Sequence, residues 1–286
     1  MTPVRPVGTV PAGPTTSFFG FSRGGAFAAA GVLAALNAQA DQIVSTLTWQ
    51  PALNAAISMA GISAIIWAAM AAAWKIGSED DRKPKGAMDY AVLGVVLLSS
   101  FVPLSYAAQA GLLLCGCYLL ATAGRSDAER RSAVILLALT GPLIWGRLIL
   151  HLFEVPILSL DAHIVGTVIG SPTAGNVVRF AGDNGRFVIA EPCSSVHNMS
   201  LAIVLWTTAA MLFRIRIDGR YMLVGAAMVA LMYGLNLVRL STIGLFPGYF
   251  DILHVGWGAV TFGYAGLVGA AIVAGFGVID AAARQR

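Results

Sequence analysis

The sequence predicts an all-α integral membrane protein, with about eight transmembrane helices and an extracytoplasmic loop that contains a small β-hairpin. Three observations predict it. Apolar residues make up 57% of the 286 and charged residues only 11%, with a mean hydropathy of +0.77, whereas soluble domains carry about 25% charged residues. The apolar residues gather into runs of roughly 20, the length a helix needs to cross the hydrocarbon. Basic residues gather in alternate connections, the asymmetry that orients membrane proteins.

The runs fall near 26–44, 52–74, 88–106, 107–123, 132–153, 194–213, 221–245 and 255–279. Asn37, Gln39 and Asp41 interrupt the first, and only a tight turn near Ala107 separates the third from the fourth. Lys75, Arg82, Lys83 and Lys85 follow the second run, and Arg125, Arg130 and Arg131 follow the fourth. Arg214, Arg216 and Arg220 follow the sixth, Arg284 and Arg286 close the chain, and Arg5 and Arg23 precede the first run. With both termini inside, 14 of the 18 basic residues lie on one side. The organisation is a cytoplasmic tail 1–25, a polytopic membrane domain 26–280 with an extracytoplasmic insertion 154–192, and a cytoplasmic tail 281–286. LNAQA before Asp41 also fits a signal-peptide cleavage site; an uncleaved first helix is the preferred reading because the segment ahead of it is unusually long. The pI near 9.1 reflects basic residues scattered over short loops and gives no reason to expect nucleic acid as a partner.

The insertion begins with VPILSLDAHIVGTVIG, too interrupted to span and expected to lie at the interface or re-enter. NVVRFA and RFVIAE then flank GDNG, alternating runs about a turn that read as a β-hairpin. This hairpin leads into EPCSSVHN, at the outer start of the sixth run.

Three reactive side chains converge on that outer layer. Cys193 starts the sixth run, Arg239 lies about 10 Å below the outer end of the seventh at 1.5 Å per residue, and His254 starts the eighth. A guanidinium in the apolar layer costs at least about 2.5–3.5 kcal/mol on insertion scales, which marks Arg239 as functional by default. Asn236, three residues earlier on the same helical face, is placed to hold it. Cysteine with histidine and arginine suits nucleophilic acyl transfer, because a neighbouring cation favours the thiolate. Taken alone each residue has a plainer explanation: packing for Cys193, an interface position for His254, snorkelling for Arg239. Cys115 and Cys117 read as apolar filler. Arg147, His151 and Glu154 form a second polar stripe, read first as an Arg147–Glu154 ion pair, with His151 a competitor for the role of base. Cys193 and His197, one helical turn apart, share too few further ligands for a metal site, and no cofactor is expected.

These residues resemble the exosortase/archaeosortase family of membrane transpeptidases over about Leu137 to Gly275. VIAEPCSSVHNMSLAIVLW is similar to the family's Ala-Glu-x-Cys-Ser-Gly block, LNLVRLSTIG to its Asn-x-x-Arg block, and DILHVGWG carries a histidine at the expected distance. The resemblance implies catalytic Cys193, Arg239 and His254; Asn236, Glu191, Ser194, His197, Arg147 and His151 are the candidate supporting residues. Ser195 departs from the pattern by replacing the glycine, and His197 and Asn198 depart after it. The resemblance further implies a cysteine-type enzyme in a bacterial inner membrane with its site facing the periplasm. Its partners would be membrane-tethered secreted proteins with a C-terminal sorting signal, an amine or lipid acceptor, and membrane lipids, often in exopolysaccharide systems. A non-enzymatic transporter or scaffold associated with exopolysaccharide export is the rival class; its buried polar groups would be expected near the midplane.

Overall fold

A computed structural model describes residues 21–84, 86–182, 185–254 and 256–284. Arg5, Lys85, Arg286, the Asp183–Asn184 centre of the hairpin turn and most of the tail 1–25 lie outside them. Among the described residues, five helices are long and apolar enough to cross a membrane. They are α6 (Ser105–Thr122), the continuous Asp127–Leu152 helix, α10 (Ser195–Leu212), α11 (Gly219–Leu245) and α13 (Trp257–Arg284). Three shorter apolar helices pack among them: α1 (Arg23–Asn37), α4 (Ala64–Gly77) and α5 (Gly86–Phe101). Ser126, Ser194 and Asp218 cap the helices that follow them by accepting a backbone N–H, which satisfies donors that a helix start leaves unpaired.

Several expected boundaries move. The first apolar run stops at Asn37 and resumes as α2 (Ala40–Trp49), whose Val44, Leu47 and Trp49 are exposed. The expected 52–74 span is broken: α3 (Ala52–Ile57) ends in a turn where Met59, Ala60 and Gly61 all have positive φ. A helix cannot continue through left-handed residues, so only Ala64–Gly77 remains as a straight element. Leu104, before Ser105, has an extended backbone, so the turn between α5 and α6 comes before Ala107. The fifth run comprises α7 (Asp127–Thr140), a π turn over Gly141–Trp145 and α8 (Gly146–Leu152). Pro142 lies in that turn, where its missing N–H and its ring disturb the regular ladder. α13 continues through Arg284, so the tail expected at 281–286 is helical as far as it is described.

The segment expected at the interface forms α9 (Glu154–Ile169). Its Leu158, Ala162, Val165 and Ile169 are buried on one face, the spacing of an amphipathic helix. The NVVRFA and RFVIAE runs supply β2 (Val177–Arg179) and β3 (Arg186–Val188), which pair antiparallel with Val178 opposite Phe187. A short β1 (Thr173–Ala174) covers the other edge of β2. The Ala181 N–H donates to the Gly244 carbonyl at 2.9 Å, tying the sheet to the end of α11.

Several basic residues are held in ion pairs at helix ends. Arg23, only 6% exposed, makes two 2.9 Å bonds to Asp89 and one of 2.5 Å to Glu129. Arg82 reaches Glu129 at 2.9 Å, and Arg131 reaches Glu79 at 2.8 Å. Arg284 pairs with Asp218 at 2.9 Å. One group of these pairs ties α1 to α5 and α7, and a separate pair ties the start of α11 to the end of α13. Elsewhere, a second and smaller core brings together Leu158, Val178, Phe187, Ile189, Leu240 and Cys193.

Candidate functional site

Cys193 ends a single 3-10 turn, Glu191–Cys193, between β3 and α10. Ser194 then caps α10, its hydroxyl accepting the Val196 N–H at 3.2 Å. The turn is held from two sides. From α11, Asn236 Nδ2 donates to the Cys193 carbonyl at 2.9 Å and to Ser195 Oγ at 3.1 Å. From α9, Asp161 accepts the Ser195 N–H at 3.1 Å and the Ser195 hydroxyl at 3.2 Å, and the Tyr233 hydroxyl lies nearby. Cys193, Ser195, Asp161 and Asn236 are all buried.

Arg239 lies three residues beyond Asn236 on α11, and its guanidinium is near enough to the Cys193 sulfur to act on it electrostatically. Burial pushes the Cys193 thiol above its ordinary range, while the nearby Arg239 cation pulls it back toward the anion; the net direction is up. The resting group at neutral pH is therefore a thiol beside a cation, which needs a base to ionise it. Arg239 Nε is buried without a hydrogen-bond partner, and the side chain lines a cavity of about 60 Å³ together with Asn236, Asn198 and Phe262. Water needs about 30 Å³ of liquid volume, so a carbonyl oxygen has room beside the guanidinium.

His254 is half-buried on α12 (Phe250–His254), with its ring stacked on Phe250 at 5.0 Å between centroids. Phe250 and Leu253 pack against the cluster that contains Cys193. Among the described residues His254 bonds to neither Cys193 nor Arg239, so the histidine shares the layer without closing a triad.

The remaining predicted residues gather elsewhere. Arg147, Glu191 and His197 line a cavity of about 420 Å³, together with Asp41, Gln39 and Ser200. Neither Cys193 nor Arg239 lines it. It shares Gly61, Ser63 and His197 with a neighbouring cavity of about 280 Å³, which shares Asn198, Met232 and Gly263 with the one beside Arg239. The three cavities thus border one another around the start of α10. The expected Arg147–Glu154 ion pair is absent among the described residues, because α8 ends at Phe153 and Glu154 begins a new helix. His151 is exposed on α8. Among the described residues no three His, Cys, Asp or Glu side chains converge as metal ligands. Cys115 is buried, its thiol donating to the Phe27 carbonyl at 3.1 Å, but Cys117 is exposed and fills no core position.

No protein-family model matches the chain, and neither a curated protein nor a solved structure matches it. The site is therefore read from its own geometry. Sequence reasoning missed Asp161 and Tyr233. The one available signal was a lone aspartate on the buried face of a segment that repeats every three to four residues.

Proposed function

We propose that the chain is a membrane cysteine peptidase or transpeptidase, similar to exosortases, that cleaves membrane-tethered secreted proteins at a C-terminal sorting signal. The closeness of the Arg239 guanidinium to the Cys193 thiol, on a turn braced by Asn236, is the observation that carries this reading. In the proposed topology α1, α4 and α5 complete eight crossings, the ion-paired helix ends are cytoplasmic and Cys193 faces the periplasm of a bacterial inner membrane.

In the proposed reaction His254 takes the Cys193 proton and the thiolate attacks the scissile carbonyl. Arg239 stabilises the oxyanion of the tetrahedral intermediate, the electrostatic role that often dominates acyl transfer. The C–N bond breaks as His254 returns the proton to the leaving amine, which leaves a thioester on Cys193. An amine acceptor then displaces the thiol and forms a new amide, or water displaces it and forms an acid; the thiol regains its proton in either case. Catalytic hydrogen bonds are often long before substrate binds, which accommodates a His254 that is stacked on Phe250 in the free protein.

The test is mass spectrometry of secreted-protein C-termini in cells carrying the wild-type chain, Cys193→Ala or Cys193→Ser. The expected result is shortened C-termini with the wild type only, at equal membrane insertion of all three. Substantial processing by the alanine variant would remove the thiol mechanism.

A further inference from the structure

Asp161 presents a question that catalysis by Cys193, Arg239 and His254 leaves open. Its carboxyl group is 2% exposed and lies on the apolar face of α9 beside Leu158, Ala162 and Val165. A carboxylate in such a place is costly unless hydrogen bonds or a cation compensate it. Among the described residues no lysine or arginine pairs with it. Its partners are donors only: the Ser195 N–H at 3.1 Å and the Ser195 hydroxyl at 3.2 Å, with the Tyr233 hydroxyl nearby.

Those partners form one chain of bonds. Ser195 has a single hydroxyl proton, given to Asp161, and its oxygen accepts from Asn236 at 3.1 Å. Asn236 uses the same amide nitrogen to hold the Cys193 carbonyl at 2.9 Å. Donor and acceptor capacities match at every link. Asparagine at position 161 would turn an NH₂ group toward one of the two Ser195 donors and break that match. The chain spans α9, the cysteine turn and α11, and it ends three residues from Arg239.

We propose that Asp161 is a positioning residue which, through Ser195 and Asn236, fixes the Cys193 turn at the height where the thiol meets the Arg239 guanidinium. This rests on the reading of Cys193 as nucleophile and extends it to an element outside the resembling motifs. Ser195 is also where this chain departs from the glycine of the family pattern, so the hydroxyl link belongs to this protein in particular. The charged or titratable groups around the thiol are Arg239 and Tyr233 on α11, Asp161 on α9, Glu191 in its own turn and His254 on α12. Of these, Arg239 alone acts directly on the thiol.

The test uses the full-length protein in detergent micelles, in a Cys117→Ser background with Cys115 left buried. Alkylation of Cys193 by iodoacetamide is followed by peptide mass spectrometry as a function of pH, for the parent, Asp161→Asn and Ser195→Gly. Ser195→Gly keeps the backbone N–H bond and deletes only the hydroxyl link. Expected is an upward shift of the alkylation midpoint by about one pH unit in Asp161→Asn, hence a roughly tenfold slower reaction near neutrality. Ser195→Gly should shift it less, in the same direction, with thermal unfolding retained in both.

A midpoint that coincides with the parent would overturn the proposal. So would a downward shift, which is what loss of a nearby negative charge alone produces. Should Asp161→Asn fail to accumulate, Ser195→Gly decides by the same criterion. Because alkylation reads the turn without substrate, its outcome is separate from that of Cys193→Ala in processing.

Discussion

Replacing Asn236 by alanine tests how the cysteine turn is held. The side chain is 4% exposed, and one nitrogen serves two acceptors, the Cys193 carbonyl at 2.9 Å and Ser195 Oγ at 3.1 Å. Each bond contributes about 1 kcal/mol net, and a buried carbonyl left without a donor costs about 1–3 kcal/mol. Ser195 Oγ keeps its bond to Asp161, so the main loss falls on the carbonyl. Local opening of the turn should become easier by about 2–4 kcal/mol, roughly a 30-fold to 1000-fold rise in the open population. Hydrogen–deuterium exchange of the 190–200 peptide reads this directly, because the Ser195 amide bonds to Asp161 only while the turn is closed. Asn236→Asp should exchange faster still, since a carboxylate oxygen would then face the Cys193 carbonyl and stand near Asp161. Unchanged exchange in both variants would refute the idea that Asn236 braces the turn.

Three other outcomes follow from the same structure. Arg239→Lys should lower processing by about 10²–10³-fold, the typical loss when a donor to the oxyanion is removed, because a lysine cannot reproduce the planar fork; processing rates near wild type would reduce the arginine to a point charge. His254→Gln should abolish processing while His197→Gln, which alters only a cavity wall, retains most of it; the reverse pattern in the same C-terminal assay would move the base to His197. Arg23→Met should destabilise the bundle by about 3–5 kcal/mol, since it breaks buried ion pairs to Asp89 and Glu129 by removing one partner, and thermal unfolding in detergent should show the loss while alkylation of Cys193 at the far face keeps its pH profile.

Much of the site was legible because membranes impose strong rules. An arginine in an apolar run needs a reason, and hydropathy with charge asymmetry put Cys193, Arg239 and His254 in one layer before any coordinates. Asn236, expected to hold the Arg239 guanidinium, holds the Cys193 carbonyl and Ser195 Oγ instead. Periodicity does not show where a helix breaks. The positive φ of Met59 and Ala60, with no glycine before Gly61 to signal a turn, split a run that looks continuous, and the break at Phe153 separated Glu154 from Arg147. Pairings between distant segments were equally hidden. Arg23 looked like a flanking positive charge, yet it is a buried partner of Asp89 and Glu129 across 66 and 106 residues. Asp161 was the costliest omission, because its role depends on α9 packing against α11, a contact that no local pattern announces.

A thioester on Cys193 is the most direct sign of the proposed chemistry. The measurement is peptide mass spectrometry of the chain isolated under acid from cells that secrete its substrates, before and after hydroxylamine. An acyl adduct on the Cys193 peptide that hydroxylamine releases, and that is missing in Arg239→Lys, is the expected result. Active processing with Cys193 never acylated and with Cys193→Ala undiminished would contradict the assignment of this cysteine as the nucleophile.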